Sequence, residues 1–386
     1  MYMGSDVSNN SSFKVALKPS DFVHLHNHTH HSLLDGLTKM DELVGKVKEF
    51  GMEAAAVTDH GTMSGTLEYY KLAMEAGIKP LLGIEAYVAA RSRHDRDPSK
   101  DKARYHLTII AMNHKGWQNL MQLSTTANLE GMYYKPRMDH EILEKYNEGL
   151  IVLSGCAGGE LAESIRANNY AEAKRVAQWY KSVFGDRYYL ELQDHGHPDA
   201  PSHWDEQQKV NEALMKLGKE LDIACVVTCD GHYLTHQDQD AHEILLCVGT
   251  GSYLTDTNRM SLKNVELHLT DPKDIINRWG AEHPDLITNT KAIADRCNLE
   301  IELGQILIPT FPTEPGVTEK DLLDDLVFRG LARRYAKKTN EDVNHLHMKD
   351  IRPILDQDVL DRVDMEFEVV NRMGYNGYFL IVQDFI

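Results

Sequence analysis

"AAAVTDHGTMSGTLEYYKLAMEAGIKPLLGIEAYVA", residues 54–89, reads as a strand, a helix and a second strand. Its two ends are short apolar runs, "AAAVTDH" and "PLLGIEAYVA", and the "GTLEYYKLAMEAG" between them carries helical periodicity. A strand that returns to its sheet through a helix runs parallel to its predecessor. The alternation extends outward from this unit, from about residue 22 to about residue 250. Further strands are expected at "FVHLHNHT", "YHLTIIAM", "GLIVLSGC", "RYYLELQDH" and "IACVVTCDGHY". Helices are expected at "KMDELVGKVKEF", "KGWQNLMQLSTTANL", "YAEAKRVAQWYKSVFG" and "EQQKVNEALMKLGKEL". About seven parallel strands over roughly 260 residues suit a closed α/β barrel better than a short open sheet.

In such a barrel the C-terminal strand ends meet on one face, where chemistry is usually housed. Here those ends carry His26 and His28, Asp59 and His60, Glu85, Cys156, Asp194 and His195, and Asp230 and His232. His106 is the exception, because it opens its run instead of closing it. In "VHLHNHTHHS" (23–32), His24, His26 and His28 alternate with Val23, Leu25 and Asn27, so a strand would place all three on one face, with Asp35 just beyond. A lone strand histidine is usually a core or surface residue. Three on one face, joined by His, Glu, Asp and Cys at so many other strand ends, point to metal. The donor mix suits Zn²⁺, Mn²⁺ or Fe²⁺ better than Ca²⁺ or Mg²⁺ alone. The donors outnumber what one four-coordinate ion can use, which implies two or three clustered ions. Such clusters, with bridging carboxylates, hydrolyse phosphoesters by activating a water and neutralising phosphate oxygens.

Composition narrows the alternatives. The 386 residues carry a formal charge of −18, so a surface that grips nucleic acid everywhere is excluded and any such role must be local. No apolar run is long enough to span a membrane. The polar start, "MYMGSDVSNNSSFK", lacks an apolar signal core and reads as a disordered tail over residues 1–20. Five scattered cysteines do not make a disulfide framework and suit a reducing, cytoplasmic setting. "CVVTC" (225–229) is one residue too long for a CxxC pair and reads as strand core. "SGCAGG" (154–159) lacks the spacing of a nucleophile turn, and "GTGSY" (249–253) lacks the Lys-Ser/Thr of a phosphate loop. "HGHPDAPSH" (195–203) reads as a solvated loop apart from its first residue. In "YYKPR" (133–137), Lys135 and Arg137 beside tyrosines suit either a phosphate-backbone contact or a plain solvated loop.

After about residue 290 the pattern changes. "ILIPTFPTEPG" (306–316) is an extended, Pro-rich connector, and charged helical sequence follows. The final "GYNGYFLIVQDFI" enters an apolar run and stops inside it, so the chain is expected to be the front of a longer polypeptide.

At "HLHNHT … TDHG … IEAYVA … YHLT … LSGC … DGHY" the sequence resembles the polymerase and histidinol phosphatase (PHP) family. More narrowly it is similar to the N-terminal PHP domain of bacterial DNA polymerase III alpha subunits, from about residue 21 to 386, through "HNHTHHSLLDG", "GIKPLLGIEAYVA", "YYKPR", "LSGC" and "MGYNGYFLIVQDFI". The resemblance implies a distorted (β/α)₇ barrel over 21–290, then a connector and the start of a polymerase palm over 291–386. It also implies a trinuclear centre held by His26, His28, Asp35, His60, Glu85, His106, Cys156, Asp230 and His232, among which Asp35, His60, Asp230 and His232 are the catalytic group. His24 and Asp59 would orient ligands from behind, and His195 would contact the scissile phosphate. His30 and His31 would be bystanders. The implied activity is 3′–5′ proofreading hydrolysis of DNA. The alternatives are a metal-stabilised scaffold that docks a proofreading exonuclease subunit, and a histidinol-phosphate-type phosphatase. The implied partners are the DNA primer 3′ end, a sliding clamp, an exonuclease subunit and the rest of the polymerase chain. The polymerase's own Mg²⁺-binding acids would lie outside this sequence.

Overall fold

The computed structural model describes residues 16–33, 35–195 and 201–386, without the side chains of 201–204. The expected tail falls outside the described residues up to residue 15, as does the "HGHPDAPSH" loop from 196 to 200. The chain divides into two compact units, one ending at Ile301 and the other spanning Glu302–Ile386.

In the first unit the elements follow in the order α1 (Met40–Glu49), β1 (Ala54–Val57), α2 (Thr66–Ala76), β2 (Lys79–Ala89), β3 (Arg104–Ala111), α3 (His114–Leu129), β4 (Met132–Tyr133) and β5 (Lys135–Met138). Next come α4 (His140–Lys145), β6 (Leu150–Leu153), α5 (Glu160–Arg166), α6 (Tyr170–Phe184), β7 (Tyr188–Gln193), α7 (Pro201–Leu221) and β8 (Cys225–Thr228). Helices α8 (Gln239–Thr250), α9 (Pro272–Trp279) and α10 (Pro284–Arg296) complete the unit. Among the described residues, no helix is long and apolar enough to cross a membrane.

β1 and β2 pair in parallel, as do β6 with β7 and β7 with β8. The segment 22–28 makes a parallel bridge from His24 to Ala55 on one side and from Asn27 to Gly231 on the other. The strands thereby close into a distorted α/β barrel. The sheet departs from the all-parallel expectation at two places: β3 runs antiparallel to both β2 and β6, and the short β4 runs antiparallel to β5. The loop between Ala89 and Arg104 contains no crossover helix, so the chain re-enters the sheet from the end at which it left. This reversal brings the start of β3 to the face where the other strands end, which is why His106 opens its run.

The outer surface of the barrel packs on its helices through residues such as Val57, Leu82, Val152, Leu190 and Val227. The alternate residues fill the interior, with Leu25, Ala56, Leu81, Ile110, Leu153, Tyr189 and Val226 forming an apolar floor. Residue 290, where the sequence reading ends the barrel domain, lies inside α10. Asn289 bonds the Cys225 carbonyl at 2.9 Å, Asn298 N–H bonds the Met112 carbonyl at 2.6 Å, and the barrel unit continues to Ile301.

The second unit contains α11 (Glu319–Tyr335), α12 (Asn340–Val343), α13 (Met348–Ile351), α14 (Gln357–Met373) and α15 (Asn376–Phe385). Its core gathers Phe328, Ala332, Val343, Ile351, Leu355 and Val363. The apolar run at the end of the sequence is helical, as α15.

Candidate metal centre

Counting inward-facing residues in steps of two leads from the floor to the site. Tyr189 is followed by Glu191, Val226 by Thr228 and Asp230, and Leu81 by Gly83 and Glu85. On the reversed strand the count descends, from Ile110 through Thr108 to His106. The Val226 and Ile110 series pass from hydrocarbon through a threonine to a potential ligand, the Leu81 series passes through Gly83 to Glu85, and the Tyr189 series reaches the carboxylate of Glu191.

At the top the expected ligands converge. Asp230 Oδ1 lies 3.0 Å from His28 Nε2 and 3.3 Å from His26 Nε2, and the two imidazole nitrogens are 3.2 Å apart. Glu85 sits at the middle, 3.3 Å from His26 Nε2, 2.9 Å from His106 Nδ1 and 3.2 Å from the Cys156 sulfur, and its second oxygen pairs with His60 Nδ1. His60 Nε2 lies 3.2 Å from Asp35. His232 stacks on His28 with ring centroids 4.2 Å apart. All nine side chains therefore share one cluster. Three overlapping groups within it have donor atoms close enough to hold an ion: His26, His28 and Asp230; His28, His60 and His232; His60, Glu85 and His106.

The tautomers of three histidines are set from behind. His26 Nδ1 donates to Glu191 at 2.6 Å, His28 Nδ1 to Ser32 Oγ at 2.9 Å, and His232 Nδ1 to the Asp230 carbonyl at 2.8 Å. Each Nε2 is left to face the cluster, the arrangement that suits imidazole ligation. Ser32 in turn donates to Asp59 at 2.8 Å, so Asp59 acts on His28 through a hydroxyl. Asp230 adopts a left-handed backbone (φ 50°), which Asp tolerates better than most residues, and the turn lets it offer both its carboxylate and its carbonyl. Gly155 is also left-handed (φ 84°), and a Cβ there would sit 2.3 Å from the His106 carbonyl. This close approach accounts for the glycine before Cys156.

The electrostatics favour a cation. Burial opposes a charge on His60, yet Glu85 and Asp35 hold its pKa up at about 10. Burial likewise opposes one on His26, and Asp230, Glu191 and Glu85 outweigh it. His28, buried between His60 and His232, is pushed down to about 3. Against burial, neighbouring imidazoles, His106 foremost for Glu85 and His26 for Asp230, hold both carboxyls well below the usual range. Burial and then Glu85 push the Cys156 thiol up. Buried atoms of His60 (Nδ1), Asp35 (Oδ1), Glu85 (Oε2) and Asp230 (Oδ1) make no hydrogen bond of good geometry. Convergent nitrogen and carboxylate donors left unsatisfied in this way fit divalent metal ions.

Several expectations need correction. His24 does not share a face with His26 and His28. The segment is bridged at only two positions, and Asn27 Nδ2 folds back to the His24 carbonyl at 3.3 Å, so the two-residue period breaks. His24 instead packs edge-on against Phe22 and bonds the Thr270 carbonyl at 2.9 Å, orienting no ligand by a hydrogen bond. Arg137 does not face solvent. It is fully buried, and its guanidinium donates to the carbonyls of Gly131, Asp101, Arg93 and Asp95. "YYKPR" is a β4–β5 hairpin whose arginine ties two loops together. Lys135 is exposed, 5.6 Å from the centre of the Tyr87 ring. His195 is buried just beyond β7. Cys225 and Cys229 are buried in the core, outside the cluster. His31 bonds Ser64 at 3.0 Å, away from the ligands.

Sequence reading missed Glu191. Fully buried, it accepts from His26, from Thr228 Oγ at 2.7 Å, Thr108 Oγ at 3.0 Å, Gln193 at 2.9 Å and Gly155 N–H at 3.1 Å. The available signal was a carboxylate alternating with Tyr189 and Gln193 inside an otherwise apolar strand. His242 was missed as well. It bonds the Asp35 carbonyl at 2.9 Å and steadies the loop that carries that carboxylate.

Two family models match the chain. The model described as PHP domain covers residues 24–195, and the model described as bacterial DNA polymerase III alpha NTPase domain covers 321–386. The chain is 38% identical over 371 residues to the DNA polymerase III subunit alpha of Borreliella burgdorferi, a match covering 95% of this chain and 30% of that protein. It is 40% identical over 368 residues to the same subunit of Treponema pallidum, covering 95% and 29% respectively. The chain thus spans about 30% of the length of the curated relatives it matches. Among solved structures, a putative metal-dependent phosphoesterase from Bifidobacterium adolescentis aligns with a TM-score of 0.34 and 14% identity, over 66% of this chain and 96% of its own.

Proposed function

Because this chain belongs to the family of bacterial DNA polymerase III alpha subunits and carries their PHP domain, we propose that it is the N-terminal portion of a replicative polymerase whose barrel hydrolyses a DNA 3′-terminal phosphodiester. The observation that carries this reading is the convergence of His26, His28, Asp35, His60, Glu85, His106, Cys156, Asp230 and His232, with no ligand-type position lost to an inert residue. In the bound state, two or three Zn²⁺, Mn²⁺ or Fe²⁺ ions would supply a water of lowered pKa and positive charge for the phosphate oxygens. His26, His28 and Asp230 would hold one ion, and His60, Glu85 and His106 another, with His28, His60 and His232 between them. Glu191 and Ser32 keep the Nε2 atoms of His26 and His28 facing inward. Asp35, with a third of its side chain exposed, is the most open of the nine and would meet the substrate first. Asp35, His60, Asp230 and His232 are the residues assigned to catalysis.

On this reading the barrel serves as a cytoplasmic proofreading module. A connector and the start of the palm follow it, and the Mg²⁺-dependent polymerase site, the sliding clamp contact and any separate exonuclease subunit belong to the rest of the assembly. The test is release of a 3′-mismatched nucleotide by the purified chain with Mn²⁺ or Zn²⁺, beside Asp35→Ala and His232→Ala. Metal-dependent release by the parent and its loss in both variants is expected. Stoichiometric metal without release would instead favour a silent scaffold.

A further inference from the structure

The reversed strand β3 delivers more than His106 to the mouth of the centre. The residues just before it emerge on the same face, and Arg104 places its guanidinium carbon 5.6 Å from the centre of the Tyr87 ring. The β4–β5 hairpin brings Lys135 to the same ring, also at 5.6 Å. Tyr87 stands directly over the cluster, with its ring 5.2 Å from that of His106 and 6.2 Å from that of His60. Gly61 permits this packing, since a Cβ there would lie 2.9 Å from Tyr87 and 3.2 Å from Pro136.

Two cations are thus gathered at the rim of a site in a chain whose net charge is −18. Among the described residues, no carboxylate lies within ion-pair distance of Arg104 or Lys135, whereas Arg91, Arg93, Arg259 and Arg278 are all paired. The Arg104 Nε is buried and makes no hydrogen bond. A cavity of about 520 Å³ opens beside Arg104, lined by Lys102, Arg104, His106, Glu163 and Asn169 among others. At the hairpin tip Tyr134 is 67% exposed, held out by a left-handed backbone (φ 61°), with its ring 4.7 Å from that of Tyr133. Unpaired cations beside an exposed aromatic ring are what a single strand of nucleic acid requires, since phosphates take the charges and a base takes the ring.

We propose that Arg104, Lys135 and Tyr134 form the seat for a single-stranded nucleic-acid 3′ end entering the metal centre. Arg104 and Lys135 pair with backbone phosphates upstream of the scissile bond, and Tyr134 carries a base. The proposal rests on the phosphodiesterase reading above.

The test is fluorescence anisotropy of a 5′-labelled oligothymidylate with the whole chain, across a salt series, with metal content measured in parallel. Arg104→Ala/Lys135→Ala is expected to bind about tenfold more weakly and to lower the slope of log K against log salt by about 1.4, the share of two phosphate contacts on a single strand. Tyr134→Ala is expected to weaken binding by at least about fivefold, with Tyr134→Phe restoring it. Lys115→Ala/Lys219→Ala removes the same charge at the opposite end of the barrel and controls for bulk electrostatics. Lys135→Glu alone, at an exposed position, decides the matter if Arg104→Ala fails to fold. The proposal is overturned if the rim variants bind like the parent, if they lose no more than the control pair, or if the parent shows no salt-sensitive binding. A preference for duplex that the rim variants leave unchanged also overturns it. Rim-dependent binding without any nucleotide release by the metal-loaded parent would leave the seat standing and sink the phosphodiesterase reading instead.

Discussion

The two ends of the barrel's interior are made by the same strands and follow opposite rules. At the floor, Leu81, Ile110, Leu153, Tyr189 and Val226 pack as hydrocarbon, and each contributes through the area it removes from water. At the other end of the same strands, imidazoles and carboxylates crowd within hydrogen-bonding distance, leaving buried polar atoms unsatisfied. The floor is built for stability. The upper end is costly by the same measure, since buried polar atoms without partners destabilise a fold. An end built in this way fits a cation. Between the two lies a layer of Thr108, Glu191 and Thr228, which is fully bonded and hands rigidity from one end to the other.

If this division is right, substitutions at the two ends should separate stability from metal binding. Asp230→Ala removes an oxygen that faces both His26 and His28. Bound metal should fall below stoichiometry and hydrolysis by more than about a hundredfold, exceeding the usual effect of a ligand's supporting partner, while circular dichroism still reports a folded chain. Leu153→Ala at the floor should do the reverse, costing ~2–5 kcal/mol in denaturant unfolding with metal stoichiometry of the folded chain unchanged. A floor substitution that released metal without loss of stability would break the comparison.

The middle layer should behave as neither end. Glu191→Gln keeps the shape but replaces a carboxylate acceptor with an amide, so metal affinity measured by competition with a chelator should weaken about 10- to 100-fold. An unchanged affinity would mean that His26 needs no support from below.

The smallest effect expected is on pH dependence away from the ligands. Burial pushes His24 down to about 4, below the 6.5 of an unfolded histidine, so between pH 6.5 and 4 the unfolded chain binds the proton that the folded chain refuses. Its contribution is intact above pH 6.5 and lost as pH falls through that window. His24→Asn should therefore lose less stability between pH 7 and pH 5 than the parent, as read from urea midpoints. Equal losses would mean that His24 does not titrate in this way. Within the centre the sign reverses for His60, whose raised pKa of about 10 stabilises the metal-free fold at neutral pH and stops doing so as pH rises towards that value. Metal must displace that proton, so affinity should increase with pH.

The sequence disclosed the side chains that converge at the upper end because strand ends rarely collect His, Asp, Glu and Cys together. It did not disclose strand direction: "YHLTIIAM" has the same apolar pattern whichever way it runs, and only the helix-free loop before it hinted at reversal. Alternation misled at His24 because a closing segment bridged at two points need not keep a strand's period. In "YYKPR" two basic residues two positions apart look equivalent in sequence, yet Lys135 faces solvent and Arg137 ties backbone carbonyls in the interior. Glu191 went unread because its role depends on a partner 165 positions away, His26.

Anomalous diffraction from crystals of the metal-loaded chain would reveal whether the upper end of the barrel holds several metal ions. Two or three peaks are expected within the cluster, about 2.0–2.3 Å from atoms of His26, His28, His60, Glu85, His106, Asp230 and His232. A folded, metal-soaked chain with no peak there, or with its ions bound elsewhere, would contradict a metal centre at that end.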